Sequence, residues 1–115
     1  MTKQHQEMAS GRWAGLSLVE QMANIGSEVE RALKWKSKHH PVYCLKAFDR
    51  ALELFDLTLE SRKTLPQLKE IARAREIVMD FFFGENSFGT SEQFLRMYFF
   101  QFAYATRNTR SGRRN

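Results

Sequence analysis

Between Val42 and Glu60, the residues Leu45, Phe48, Leu52, Phe55 and Leu59 recur at steps of three and four. That spacing puts all five on one side of a helix and leaves Lys46, Asp49, Arg50, Glu53, Asp56 and Glu60 on the other. An apolar seam opposite a charged face has to be covered by further apolar surface, so the pattern describes a helix of a bundle. Two more segments share it. Leu18, Met22, Ile25, Val29 and Leu33 form a stripe in the first, and Leu68, Ile71, Val78 and Phe82 form one in the third. A fourth segment is apolar on most sides. No stretch keeps a period of two, so strands are not expected.

Cap signals fix the boundaries. Ser17 with Glu20, Thr64 with Gln67 and Thr90 with Gln93 each read as a capping box, in which two side chains satisfy two orphan backbone donors. Pro41 and Pro66 fall in first turns, where a missing donor matters least. Gly84 is a stop signal, followed by a turn-rich loop containing Asn86 and Ser87. The predicted helices are 18–38, 42–60, 65–83 and 91–106. Gly26 lies inside the first, and a close helix contact or simple drift would each account for it. Short connections between such helices favour antiparallel neighbours. The expected fold is therefore all-α, an antiparallel up-down four-helix bundle over residues 17–106. Residues 1–16 are expected to be a flexible leader, and residues 107–115 a basic disordered tail.

With 115 residues there is room for one domain with a real core. The single cysteine, Cys44, sits in the second predicted helix and reads as a small apolar packing residue. Absence of a disulfide pattern, of a signal-peptide core and of a membrane-length apolar run points to a soluble cytoplasmic protein with no membrane association. The net charge of +5 is concentrated at the end of the chain. Without Arg107, Arg110, Arg113 and Arg114, 14 basic residues face 13 acids, a net +1. That tail is the one candidate nucleic-acid element, by phosphate contact, though a short basic end reads first as solubilising.

Ten of the fifteen aromatic residues lie between Phe81 and Tyr104. In the fourth helix they point in more directions than one buried stripe absorbs. Either that helix is central in a small core, or it carries a self-association face, with Phe94, Tyr98, Phe99 and Phe102 as the candidate interface. In the third helix Arg75 falls between apolar positions. A buried Arg75 would need a carboxylate, for which Glu28, Asp49 and Glu53 are candidates; an Arg75 at the edge would extend to water. Arg73 and Arg75 are the candidate buried or functional polar residues. His39, His40 and Cys44 lack the ligand pairs of a zinc site, and phosphate-binding glycine loops are missing. No catalytic, metal-binding or cofactor residues are assigned.

Residues 30–53, ERALKWKSKHHPVYCLKAFDRALE, and residues 73–81, RAREIVMDF, resemble the HEPN superfamily of small prokaryotic helical-bundle proteins. The second segment is similar to the Arg-x4–6-His motif that carries RNA cleavage in active members, with Met79 where the histidine is expected. The resemblance implies a pair-forming bundle without nuclease activity, and by analogy a toxin–antitoxin or nucleotidyltransferase partner. The expected function is a noncatalytic interaction module, homodimeric or with another protein partner. The alternative is an RNA-binding or degenerate nuclease-like component of a toxin–antitoxin pair. An enzyme with an unrecognised site would need a deep pocket gathering polar residues.

Overall fold

A computed structural model describes residues 11–61 and 63–113, with side chains through residue 108. Residues 1–10 of the expected leader and 114–115 of the expected tail lie outside the described residues. The fold is all-helical, with no strand among the described residues. Four long helices follow a short helical stretch at residues 11–14: α1 Leu18–Ser37, α2 Pro41–Glu60, α3 Leu65–Phe82 and α4 Glu92–Arg113. α1 is the hub. It packs along both α2 and α4, and α3 packs on α2.

The first two predicted capping boxes form as expected. Ser17 accepts from the Glu20 N–H while Glu20 accepts from Ser17, and Thr64 and Gln67 do the same for α3. The third does not. α4 begins one residue later than predicted, and Ser91 Oγ accepts from the Phe94 N–H at 3.0 Å. Thr90 is held by Asn86 instead, whose side chain takes the Thr90 N–H and donates to its carbonyl, both at 2.9 Å. The turn between α1 and α2 is a Schellman cap. His40 N–H reaches Trp35 O, His39 N–H reaches Lys36 O, and His39 takes a left-handed φ of 59°. Beyond α3, Asp80 organises the loop: Oδ1 accepts from Ser87 N–H and Oδ2 from Phe88 N–H.

Two sequence expectations change at the ends. α4 continues as helix through Arg113, past its expected end at Thr106. Nothing there breaks the helix as proline would, and Thr106 Oγ1 bonds back to Phe102 O. Within the expected leader, Trp13 is buried in the core. Its indole N–H donates to Thr58 Oγ1 at 2.8 Å, and Thr58 donates on to Leu54 O. Gln21, fully buried, donates to Trp13 O and Ser61 Oγ. A buried indole needs such a partner, and the polar chain gives it one.

The core joins Met22, Ile25, Val29 and Leu33 of α1 to Phe48, Ala51 and Phe55 of α2, Ile71, Ala74 and Val78 of α3, and Leu95 and Phe99 of α4. The α1 stripe is as predicted, with Leu18 half-buried at its start. The α2 stripe is rotated. Ala47, Ala51 and Thr58 are buried, Leu52 and Leu59 are half-buried, and Leu45 is exposed. Small residues take the innermost track because α1 lies close along α2. The hub is also tight against α4. A Cβ built on Gly26 would lie 2.7 Å from Phe99 Cβ. Glycine is therefore a steric requirement at the crossing, which settles the alternatives left open by the sequence.

Gly26→Ala and Gly26→Leu test this crossing. Helix propensity alone would raise stability by about 1 kcal/mol. Overpacking against Phe99 Cβ, the root of its side chain, costs about 1–3 kcal/mol and more for the larger residue. The expected order of urea midpoints is Gly above Ala above Leu. A midpoint that rises in either variant would show that α1 and α4 are not in contact at Gly26.

Candidate functional site

The outer faces of α4 carry the most unusual surface of the molecule. Leu95 and Phe99 turn inward, and Phe99 is 5% exposed, packed on Gly26 and 6.4 Å from the Phe55 ring. Tyr98 and Phe102 are half-buried beside it, edge-on to one another at 5.5 Å. Phe94, Met97, Phe100 and Tyr104 are 53%, 66%, 57% and 55% exposed. Of the four interface candidates named from the sequence, Phe99 thus belongs to the protomer's own core, Tyr98 and Phe102 line its flank, and Phe94 alone is open. The exposed stripe runs instead through Met97, Phe100 and Tyr104. A three- and four-residue repeat through those positions was present in the sequence. It was masked by a second, inward repeat on the same helix.

Two depressions flank this helix. A groove of about 620 Å³ lies between α1 and α4, with Ala23, Gly26, Ser27 and Ala103 small along it and Met97 and Phe100 beside them. Arg96 crosses its rim, bonded to Glu30 at 2.9 Å and Glu92 at 3.4 Å. Arg107 sits 5.8 Å above the Phe100 ring. A smaller cavity of about 190 Å³ lies between α3 and α4, walled by Ala74, Ile77, Val78, Phe94 and Tyr98. Tyr98 Oη donates to Glu70 Oε1 at 3.1 Å across it. Burial, then the charge of Glu70, then their hydrogen bond hold the phenol protonated far above its ordinary range.

The remaining candidates are placed elsewhere. Arg73 is exposed at the mouth of the smaller cavity. Arg75 is half-buried and pairs with Asp56 at 3.0 Å, not with Glu28, Asp49 or Glu53. Asp56 is the carboxylate that the α2–α3 pairing brings alongside, whereas Glu28 is engaged by Arg31 at 2.8 Å and lies 3.7 Å from Arg50. Met79, at the position of the expected histidine, takes an N–H of Arg75 on its sulfur. Of the tail arginines, Arg107 lies on α4; the side chains of Arg110 and Arg113, and all of Arg114, are outside the described residues. Cys44 is half-buried, and burial pushes its thiol up while Lys36 opposes the shift. Among the described residues no three His, Cys, Asp or Glu side chains gather around a point, and no helix is long and apolar enough to cross a membrane. Compared with protein-family models, with curated proteins and with solved structures, the chain matches none.

The Tyr98–Glu70 contact has a pH signature. Because the fold favours the neutral phenol, its contribution is full below about pH 10, the ordinary tyrosine value, and is lost as the pH climbs above it. Tyr98→Phe removes one hydrogen bond, worth about 1 kcal/mol near neutrality. The expected stability gap between wild type and variant in urea titrations narrows from pH 8 to pH 11. A gap constant over that interval would show that Tyr98 is not held neutral by its surroundings.

Proposed function

We propose that the chain is a noncatalytic helical interaction module that pairs with a second copy of itself through the outer face of α4. The four helices are read as an antiparallel up-down bundle. That arrangement is supported by contacts joining opposite ends of neighbours, such as Gln21 early in α1 with Ser61 after α2, and Phe48 early in α2 with Phe82 late in α3.

The observation that carries the reading is the exposed stripe Met97, Phe100 and Tyr104 beside a groove of small residues, with Phe94 open a turn earlier on the α3 side of the helix. These four side chains span about 15 Å of helix. Water-exposed aromatic rings in a row are an unfavourable surface for a lone protomer. Protruding apolar side chains next to a channel of Ala, Gly and Ser make a face complementary to itself. Such a face suits a two-fold interface, where each protomer's Met97 and Phe100 enter the other's groove. The rim agrees, since Glu30, Glu92, Arg96 and Arg107 supply both signs of charge. The four side chains leave about 400 Å² open per protomer, or roughly 800 Å² for a pair. With the groove walls this approaches the lower end of specific interfaces, so the expected affinity is micromolar.

Sedimentation equilibrium tests the pairing. The wild-type chain is expected to dimerise in the micromolar range. Met97→Lys with Phe100→Lys should weaken the dimer at least tenfold while leaving helical content and melting unchanged, because both side chains are exposed. A wild type that stays monomeric at hundreds of micromolar would end this reading. So would a double variant that dimerises as tightly as the wild type.

A further inference from the structure

The stretch 31–48 contains Arg31, Lys34, Lys36, Lys38 and Lys46 and no acid. The fold gathers it at one corner: the last turns of α1, the Schellman turn and the first turns of α2. Arg31, Arg50, Arg75 and Arg96 each lie within ion-pair distance of a carboxylate. At this corner Lys34, Lys36, Lys38 and Lys46 pair with no carboxylate among the described residues. Asp80, next to Phe81, is turned into its own loop by Ser87 and Phe88.

Aromatic rings interleave with these lysines. Trp35 packs on Tyr43 with centroids 4.8 Å apart and meets His40 edge-on at 5.4 Å. Lys38 lies over Trp35 at 5.4 Å, Lys46 over Tyr43 at 5.8 Å and Lys36 over Phe81 at 5.4 Å. Tyr43 is still 50% exposed, and His40 is exposed beside it. Lysines in the last turn of α1 complement its macrodipole, and that accounts for Lys34 and Lys36. It accounts equally for Lys38, the C-cap of α1, but not for Lys46, in the second turn of α2. It also leaves the exposed rings unexplained.

We propose that this corner binds single-stranded nucleic acid, with Lys34, Lys36, Lys38 and Lys46 on the phosphates and a base stacked on Tyr43. Unpaired lysines meet the phosphate backbone without breaking internal ion pairs. An open ring offers a stacking platform only to a base free of its duplex partner. The surface is separate from the α4 stripe, and the proposal does not depend on self-association.

Fluorescence anisotropy with a labelled oligouridylate of about ten nucleotides tests it on the full chain. Binding should weaken with salt at a log–log slope of about −3, from roughly −0.7 per phosphate contact. Lys38→Gln with Lys46→Gln should flatten that slope by about 1.4 without affecting the melting temperature. Tyr43→Leu should lower affinity about tenfold at every salt concentration. Arg110→Gln with Arg113→Gln and Arg114→Gln should leave the Tyr43 effect intact. Met97→Lys with Phe100→Lys should also leave it intact, which separates this result from that of the dimer test. Four results would overturn the proposal: no retention at low salt, equal affinity for a duplex of the same length, indifference to both the lysine and tyrosine variants, or binding to phosphatidylserine vesicles with none to the oligonucleotide.

Discussion

The close crossing of α1 and α4 at Gly26 governs the rest of the molecule. α1 touches two neighbours, so its position fixes where α2 and α4 sit. With Phe99 Cβ 2.7 Å from where a Cβ on Gly26 would lie, α4 is drawn against the hub along its inner face. Phe99 then fills the centre, reaching Phe55 of α2. The helix must also accommodate the aromatic residues that remain, and they emerge on its outer side. The exposed stripe is thus a consequence of the same packing that makes the core, because one helix cannot bury rings on every face against neighbours on one side.

Polar groups inside the fold hold the ends of its helices together. Trp13, Thr58, Gln21 and Ser61 tie the entry of α1 to the exit of α2 through hydrogen bonds among buried atoms. Asp80 and Asn86 do the same for the connection between α3 and α4. Tyr98 and Glu70 bridge α3 and α4 where direct packing between these helices is sparse. These bonds are individually worth about 1 kcal/mol, but an orphaned buried donor costs more, so each also fixes a register.

Charge is distributed unevenly, in a way the total conceals. Outside the tail the folded part is nearly neutral, yet Arg31, Arg50, Arg75 and Arg96 are matched to acids while the lysines of residues 34–46 are not. Matching removes the field of one set of cations and leaves the other to act at a distance. Summing charges along the chain shows the tail first. Pairing in three dimensions shows the α1–α2 corner.

The sequence by itself determined the four helices, two of the three capping boxes and the α1 stripe, because periodicity and caps are local and each has a direct residue signature. It also exposed the crowding of aromatics near Phe81–Tyr104. Tertiary structure alone decided which of them face inward, that Trp13 joins the core and that Asp56 answers Arg75. It likewise turned the α2 stripe onto Ala47 and Ala51. Each of these depends on the approach of one helix to another, and the distance between two helices is set by pairs of residues far apart in the chain. No spacing within a single segment encodes it.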